Sequence, residues 1–374
     1  MTLTEVFAGL QDPRTGPAQR HDLREMILMA LCGVLCGADT WVDVADWAED
    51  NEDWLRRYLL LEYGTPSHDT FGRVFRILDA TVFEQCFRGW IAGMVGVIGG
   101  VVALDGKTVR GSRDGENTAL HMISAFATGS GLCLGQEGTR GKGHEIAGIK
   151  ALLDTLALKG CIVTIDAMGC QTEIAQKIVD QGGDYLLAVK DNQETLAKAL
   201  REFFAEGESG GFGSLPVGQY QTVGKDHGRI ETRQHLWVTD LSWLDRTIRQ
   251  HWPKLAGVGM VERTREINGK TSTEQALYIG SKGIAHAETF ADAARSHWGI
   301  ENSLHWVLDV TFREDDCRVR KGHAPQNLSA LRKFALSLLR QDQQYPTRSL
   351  RRRRKTADRL PDYRASLLGL APRG

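Results

Sequence analysis

Apolar positions recur three and four residues apart through the first quarter of the chain, then the rhythm changes. Over residues 1 to about 95 the runs RHDLREMILMALCGVLCG, TWVDVADWAEDNEDWLRRYLL, SHDTFGRVFRIL and TVFEQCFRGWIAGMV carry this spacing, which belongs to helices that bury one face. Gly and Pro in YGTPS separate the second from the third. Trp41, Trp47 and Trp54 read as core anchors. A compact helical bundle is one reading of this stretch, and a helix-turn-helix reader of DNA is the other.

From about residue 100 the period drops to two. VVALD, ALHMISAFAT, GLCLGQE, CIVTIDA and DYLLAVK predict strands, the second and third joined by a hairpin at GSG. HEIAGIKALLDTLALKG and QTEIAQKIVDQGG predict amphipathic helices stopped by glycine. The order β-β-β-α-β-α-β places a hairpin before parallel crossovers, an α/β core on a mixed sheet. From about 195 to 285 a helix, a Gly-rich loop and further strand-like runs read as an inserted β-rich subdomain. A long helix follows, HAETFADAARSHWGIENSLHWVLD, split or kinked near Gly299. A charged loop and the helix QNLSALRKFALSLLRQ come next. The expected organisation is a helical N-terminal domain at 1–95, an α/β domain at 96–341 and a mobile basic tail at 342–374.

Composition changes this picture little. The 374 residues are 42% hydrophobic and 25% charged, with a formal net charge of −1, as in soluble globular proteins. No global basic field announces nucleic acid, so a polyanion would be held by local clusters. Arg318, Arg320 and Lys321 form one such cluster, and Arg351 to Arg354 with Lys355 form another. The seven cysteines include no CxxC pair, which points to a reducing, cytoplasmic setting. Cys32 and Cys36 stand four apart and read as buried helix cysteines rather than half a zinc site. The start of the chain has no secretory pattern. GWIAGMVGVIGGVVAL falls short of a membrane span and reads as a helix end followed by a strand.

Two acids break the apolar pattern in the same way. VVALDGK and CIVTIDAMG each end an aliphatic strand on a carboxylate, Asp105 and Asp166. Ligands bind at the carboxyl ends of strands in open sheets. A carboxylate among apolar neighbours loses hydration unless a cation or donors compensate. A divalent metal such as Mg²⁺ is the simplest remedy for two such acids. Each Asp also suits a turn of its own. A third acid is expected from the long helix, where His297, Glu301, His305 and Asp309 recur every four residues on one face. Ile300, Leu304, Val307 and Leu308 form the stripe that would pack on the sheet. Asp309, Glu314, Asp315 and Asp316 rival Glu301, the last three in a loop where clustered acids are solvated.

The strings DPRTGPAQRHDL, ALDGKTVRGS, TIDAMGCQ, LAVKDNQ, HGRIETR, HWGIENSLHWVLDVTFREDDCRVRKG and APQNLSALRKFAL occur in order. Together they resemble the DDE transposases of bacterial insertion sequences, in the ISAs-type group that includes the H-repeat-associated proteins. The resemblance runs from about residue 7 to 341. It implies a ribonuclease-H-like core with a β-rich insertion and a helical N-terminal domain. It implies a catalytic triad of Asp105, Asp166 and Glu301 holding two Mg²⁺ or Mn²⁺ ions. It also implies cleavage of element ends, joining of the freed 3′-OH to target double-stranded DNA, and a homodimer on that DNA in the nucleoid. A ribonuclease-H-like nuclease that cuts without joining and an inactive DNA-binding relic are the alternatives. A zinc hydrolase using His297 and His305 does not fit the usual i,i+4 spacing.

The chain departs from the wider superfamily at the Tyr, Arg and Lys places around the glutamate, which hold Ala294, His297 and Leu308. Arg295, His297 and His305 are the substitutes by position for holding end-proximal phosphates. Lys107, on the same side of an extended strand as Asp105, is expected at the scissile phosphate or in an ion pair. Lys190 and Asn192 are expected beside the same sheet edge. His227, Arg229 and Arg233 in the insertion, with Arg318, Arg320 and Lys321, complete the expected DNA contacts.

Overall fold

The computed structural model describes residues 3–95, 99–115, 118–140, 143–226 and 229–373. The helical spacing of the N-terminal stretch folds as α1 (Leu3–Val6), α2 (Leu23–Cys36), α3 (Trp41–Asp50), α4 (Glu52–Leu55), α5 (His68–Ile77) and α6 (Ala80–Val95). Asp22 starts α2 by accepting the N–H groups of Arg24 and Glu25, and Gly37 ends it at φ 129°, a conformation few other residues adopt. Trp41, Trp47 and Trp54 are buried, as are Cys32 and Cys36. Burial pushes the Cys36 thiol up to about 12. No single described helix is long and apolar enough to cross a membrane.

The alternating stretch gives β1 (Gly100–Val109), β2 (Leu120–Ala127), β3 (Leu132–Arg140), α7 (Glu145–Leu153), β4 (Cys161–Ile165), α8 (Thr172–Asp180) and β5 (Asp184–Val189). Residues 96–98, between α6 and β1, lie outside the described residues. β1 pairs antiparallel with β2 and parallel with β4, and β4 pairs parallel with β5.

The segment expected as a separate subdomain joins the same sheet. After α9 (Glu194–Gly210) come β6 (Val217–Asp226), β7 (Arg229–Val238), α10 (Arg246–His251), β8 (Leu255–Ile267) and β9 (Lys270–Ser281). β9 pairs antiparallel with β5, giving nine strands in the order β3-β2-β1-β4-β5-β9-β8-β7-β6. An open edge on β5 would leave unpaired backbone groups, and β9 covers it. Asn268 and Gly269, both at positive φ, make the tight β8–β9 turn.

α11 (Ala287–Ile300) and α12 (Trp306–Val310) follow, then α13 (Ala324–Gln341), α14 (Leu350–Arg359) and α15 (Pro361–Leu368). The segment expected as a mobile basic tail thus carries two helices, α14 and α15. Arg353 and Arg354 are buried, because their guanidinium groups cap carbonyls. Arg353 donates to Leu339 O at 2.6 Å and Pro346 O at 2.7 Å. Arg354 donates to Val34 O at 3.0 Å and Ala38 O at 3.2 Å. Arg364 stacks 3.9 Å over the Trp54 ring. Only Arg351, Arg352 and Lys355 of the expected cluster are exposed. α13 is buried all round and packs on α2, α5, α6 and β3, so the first and last helices share one core.

A buried polar group lies where α6, β3 and α13 meet. Glu84 Oε1 accepts the Gln136 N–H at 2.9 Å, and Lys333 Nζ donates to Gln136 Oε1 at 2.5 Å. Burial, only partly offset by Lys333, pushes the Glu84 carboxyl up to about 8. Such a group keeps its proton in the folded state where the unfolded chain has lost it. Its contribution therefore holds below the unfolded value of 4.5 and is lost as pH rises towards about 8. Glu84→Gln should remove that loss: in thermal melts the variant should gain on the parent protein between about pH 5 and about pH 8.

Candidate active site

Register brings the two aspartates together. Leu104 on β1 pairs with Ile165 on β4, so Asp105 and Asp166 take the next position on adjacent parallel strands, roughly 5 Å apart in strand spacing. Asp105 does not end its strand as the sequence suggests but lies inside β1, which runs on to Val109, whereas Asp166 caps the turn just past β4. Asp105 Oδ1 accepts the Gly106 N–H at 2.8 Å, and Asp166 Oδ1 accepts those of Met168 at 3.2 Å and Gly169 at 3.4 Å. Each acid uses one carboxylate oxygen in this way. The other oxygen of Asp105 stands 3.4 Å from His305 Nδ1.

Glu301 comes from the helix packed across this sheet. α11 lies on β1, β4 and β5, and Ile300, Leu304, Val307 and Leu308 are buried as the stripe predicts. The expected break falls just after Gly299. Residues Glu301–His305 form a π turn between α11 and α12. An α-helix drifts about 40° for every four residues, whereas a π turn rotates less per residue. The wide turn thus keeps His297, Glu301 and His305 aimed at one edge. His297 Nδ1 lies 3.1 Å from Thr164 Oγ1, beneath the Asp166 turn. His305 reaches Asp105.

Burial pushes the Asp105 carboxyl up to about 7, and the negative charges of Asp166, Glu301 and Glu145 push it the same way. Burial holds His305 down to about 3 and His297 below its usual range, so both are neutral imidazoles near neutral pH. The donors are all carboxylate oxygens, which hard divalent cations select, so they fit such an ion in kind. Among the described residues no group of three His, Cys, Asp or Glu side chains stands ready to hold an ion. Asp166 and Glu301 are exposed, and their side chains have room to close on one.

Lys107 is not at this site. Its ammonium is shared by Asp309, Glu314 at 3.1 Å and Asp315 at 3.3 Å. Of the two expectations, the ion pair holds. Three rivals of Glu301 are thereby accounted for, and the fourth, Asp316, pairs with Arg313 at 3.0 Å. Glu314 is not solvated as a charged loop suggests but 1% exposed. Lys107, Arg332, Lys333 and the Ser329 hydroxyl hold its carboxyl down to about 2.

Asn192 donates to Ala167 O at 2.7 Å and so braces the Asp166 turn. Lys190, one strand along, is exposed. Arg233 pairs with Glu231 on its own strand. Arg295 is exposed on α11, and its charge and that of Arg233 both bear on His235. Arg318, Arg320 and Lys321 are exposed together on the loop before α13. Arg229 opens β7 with its side chain outside the described residues, and His227 lies outside them altogether. Ala294 and Leu308 are core residues, in keeping with the loss of the wider signature.

Sequence reasoning missed a fourth acid. His121 on β2 crosses Gly106, where a Cβ would come within 2.1 Å of its Nε2, and it lies 3.1 Å from Glu145 Oε1. That contact gives the glycine of DGK a reason: no larger side chain fits beneath His121. The signal was present as a lone histidine interrupting the apolar run LHMIS.

The chain is similar in sequence to known proteins. The family described as "Transposase DDE domain" matches residues 70–338, and the one described as "DDE_Tnp_1-associated" matches residues 4–91. The "H repeat-associated putative transposase YhhI" of Escherichia coli K12 is 39% identical over 98% of this chain and 97% of its own. The "Uncharacterized protein in dhlA 3'region" of Xanthobacter autotrophicus is 43% identical over 74% of this chain and 92% of its own. Among solved structures, a piggyBac transposase synaptic complex with hairpin DNA overlaps 98% of this chain and 76% of that one, at TM-score 0.44 and 11% identity.

Proposed function

We infer what the carboxylates do from one premise: the chain belongs to the DDE transposase family. It cleaves DNA at the ends of an insertion sequence and joins the freed 3′-OH to target DNA. Water attacks the phosphodiester at the element end and the 3′ oxygen leaves. That hydroxyl then attacks a target phosphorus in line.

The observation that carries this reading is the register of Asp105 and Asp166, with the charge of Glu301 bearing on Asp105. The strand order β3-β2-β1-β4-β5, with β2 antiparallel to β1, supports a ribonuclease-H-like core. Asp105, Asp166 and Glu301 would hold Mg²⁺ or Mn²⁺ through carboxylate oxygens. Such ions, when bound, activate the attacking oxygen and neutralise the leaving one. The protein's own contribution is placement. His305 fixes Asp105, Asn192 fixes the Asp166 turn, and the π turn aims Glu301. Lys190 and Arg295 remain exposed for strand contacts. Two copies acting on two element ends complete the reaction.

The test is incubation with the flanking element ends, Mg²⁺ and a target plasmid, followed by sequencing of junctions. Joined products at fixed end positions are expected. Cut ends without junctions would make the protein a nuclease, and intact DNA would defeat both readings.

A further inference from the structure

We propose that a groove along α5, from the Arg318–Lys321 loop past Arg76 and Arg73 to Arg20, carries the phosphate backbone of duplex DNA. This rests on the reading that the chain works on DNA. It goes further by making the N-terminal helices a wall of the DNA path.

Two clefts of about 590 and 630 Å³ flank α5 and share Arg73 and Arg76. The first is lined from the other side by Arg318, Arg320 and Lys321, against the carboxylates of Asp69 and Asp114 alone. The second adds Arg20 and the hydroxyls of Ser67 and Thr70, with no carboxylate in its lining. Arg14 also lines it but is committed to Asp12 at 2.6 Å. Among the described residues Arg73 has only a 3.4 Å contact with Thr70 Oγ1, and Arg20 lies over the Tyr63 ring at 5.1 Å. These side chains are exposed. Elsewhere Lys107, Arg332, Arg353 and Arg354 are drawn into internal networks. In a chain of net charge −1, a local run of uncommitted cations and hydroxyls matches a phosphate backbone.

The two walls are locked in register. His323 N–H donates to Arg76 O at 3.0 Å. Asn327 Nδ2 donates to the carbonyls of Phe75 and Leu78, each at 2.9 Å. Gly322, at φ 57°, packs so closely that a Cβ would sit 2.5 Å from Arg76 O. The basic loop therefore cannot swing away from α5 without breaking these bonds. The helix-turn-helix alternative points elsewhere. α3 would be its reading helix, yet its exposed positions include Asp43, Asp46, Glu49 and Asp50. Their charge has the sign of DNA, so the face that suits DNA is on α5.

The test uses the full-length protein and a fluorescently labelled linear duplex without divalent metal, titrated across salt concentrations. The double reversal Arg73→Glu/Arg320→Glu should weaken binding at least about tenfold and flatten the log–log salt slope by about 2. Arg73→Lys/Arg320→Lys should keep the parent slope, and all variants should keep the parent melting temperature. Unchanged affinity and slope in the double reversal would overturn the groove. So would an equal loss in Arg246→Glu, an exposed reversal outside both clefts. Loss of self-association in place of DNA affinity would make the groove an interface between copies and also overturn it. A parent protein that binds no duplex at all would instead remove the functional reading beneath.

Discussion

Asp166→Asn is expected to cut end cleavage by at least about a hundred- to thousandfold, with duplex binding within about twofold of the parent protein. The substitution is nearly isosteric. Asn keeps an oxygen for the N–H groups of Met168 and Gly169 that Asp166 Oδ1 now accepts, and Asn192 still braces Ala167 O. The turn should therefore survive while one anionic ligand is lost. Cleavage of labelled element ends in Mg²⁺ and binding in its absence separate the two effects. Mg²⁺-dependent cleavage at the parent rate would remove Asp166 from the metal site. Unfolding of the variant would show that its capping role outweighs the rest.

Glu314→Gln should be the most damaging single change to stability, by about 3–5 kcal/mol. Glu314 receives Lys107 at 3.1 Å and the Ser329 hydroxyl at 2.9 Å, with Arg332 at 3.9 Å. Glu314 and Arg332 are each at most 2% exposed. Removing this buried carboxylate takes an anion from Lys107 and Arg332 in a region that water does not reach. Asp309 does not replace it, because burial and the neighbouring acids raise its carboxyl despite Lys107. The pH dependence has a definite sign. A carboxyl held down to about 2 contributes stability above its unfolded value of 4.5 and loses it as pH falls towards 2. Urea titrations of the parent protein should show that loss, and Glu314→Gln should lack it. Equal stability of variant and parent at neutral pH would mean that the network carries no weight.

The features of the site that depend on local pattern were readable in the chain. An aliphatic run before Asp–Gly put Asp105 on a strand, though β1 runs on to Val109 instead of ending there, and a similar run put Asp166 just past β4. Four-residue spacing put His297, Glu301 and His305 on one helix face, and from it His297 reaches Thr164 and His305 reaches Asp105. What stayed hidden was set by distant partners. Lys107 and Glu314 stand 207 positions apart, so the loop EDDC read as solvated acids and the lysine was left between a phosphate contact and an ion pair. Arg354 read as part of a basic tail because nothing nearby in sequence shows that a carbonyl of α2 awaits it. The β-rich segment read as separate because the pairing of β9 with β5 spans the whole of β6 to β8. The π turn was signalled only as a kink, since no residue pattern distinguishes a widened turn from a break.

The shared core of the first and last helices bears on how the protein is made. Arg354 reaches a carbonyl of α2 across 320 positions, and α13, which buries α2, is itself translated late. Helices that leave the ribosome first therefore wait for nearly the whole message before their apolar faces are covered. Throughout that interval the nascent chain exposes the surface of Met26 to Leu35, a natural client segment for holding chaperones. A polypeptide released early would keep that surface bare and go to proteolysis rather than occupy DNA.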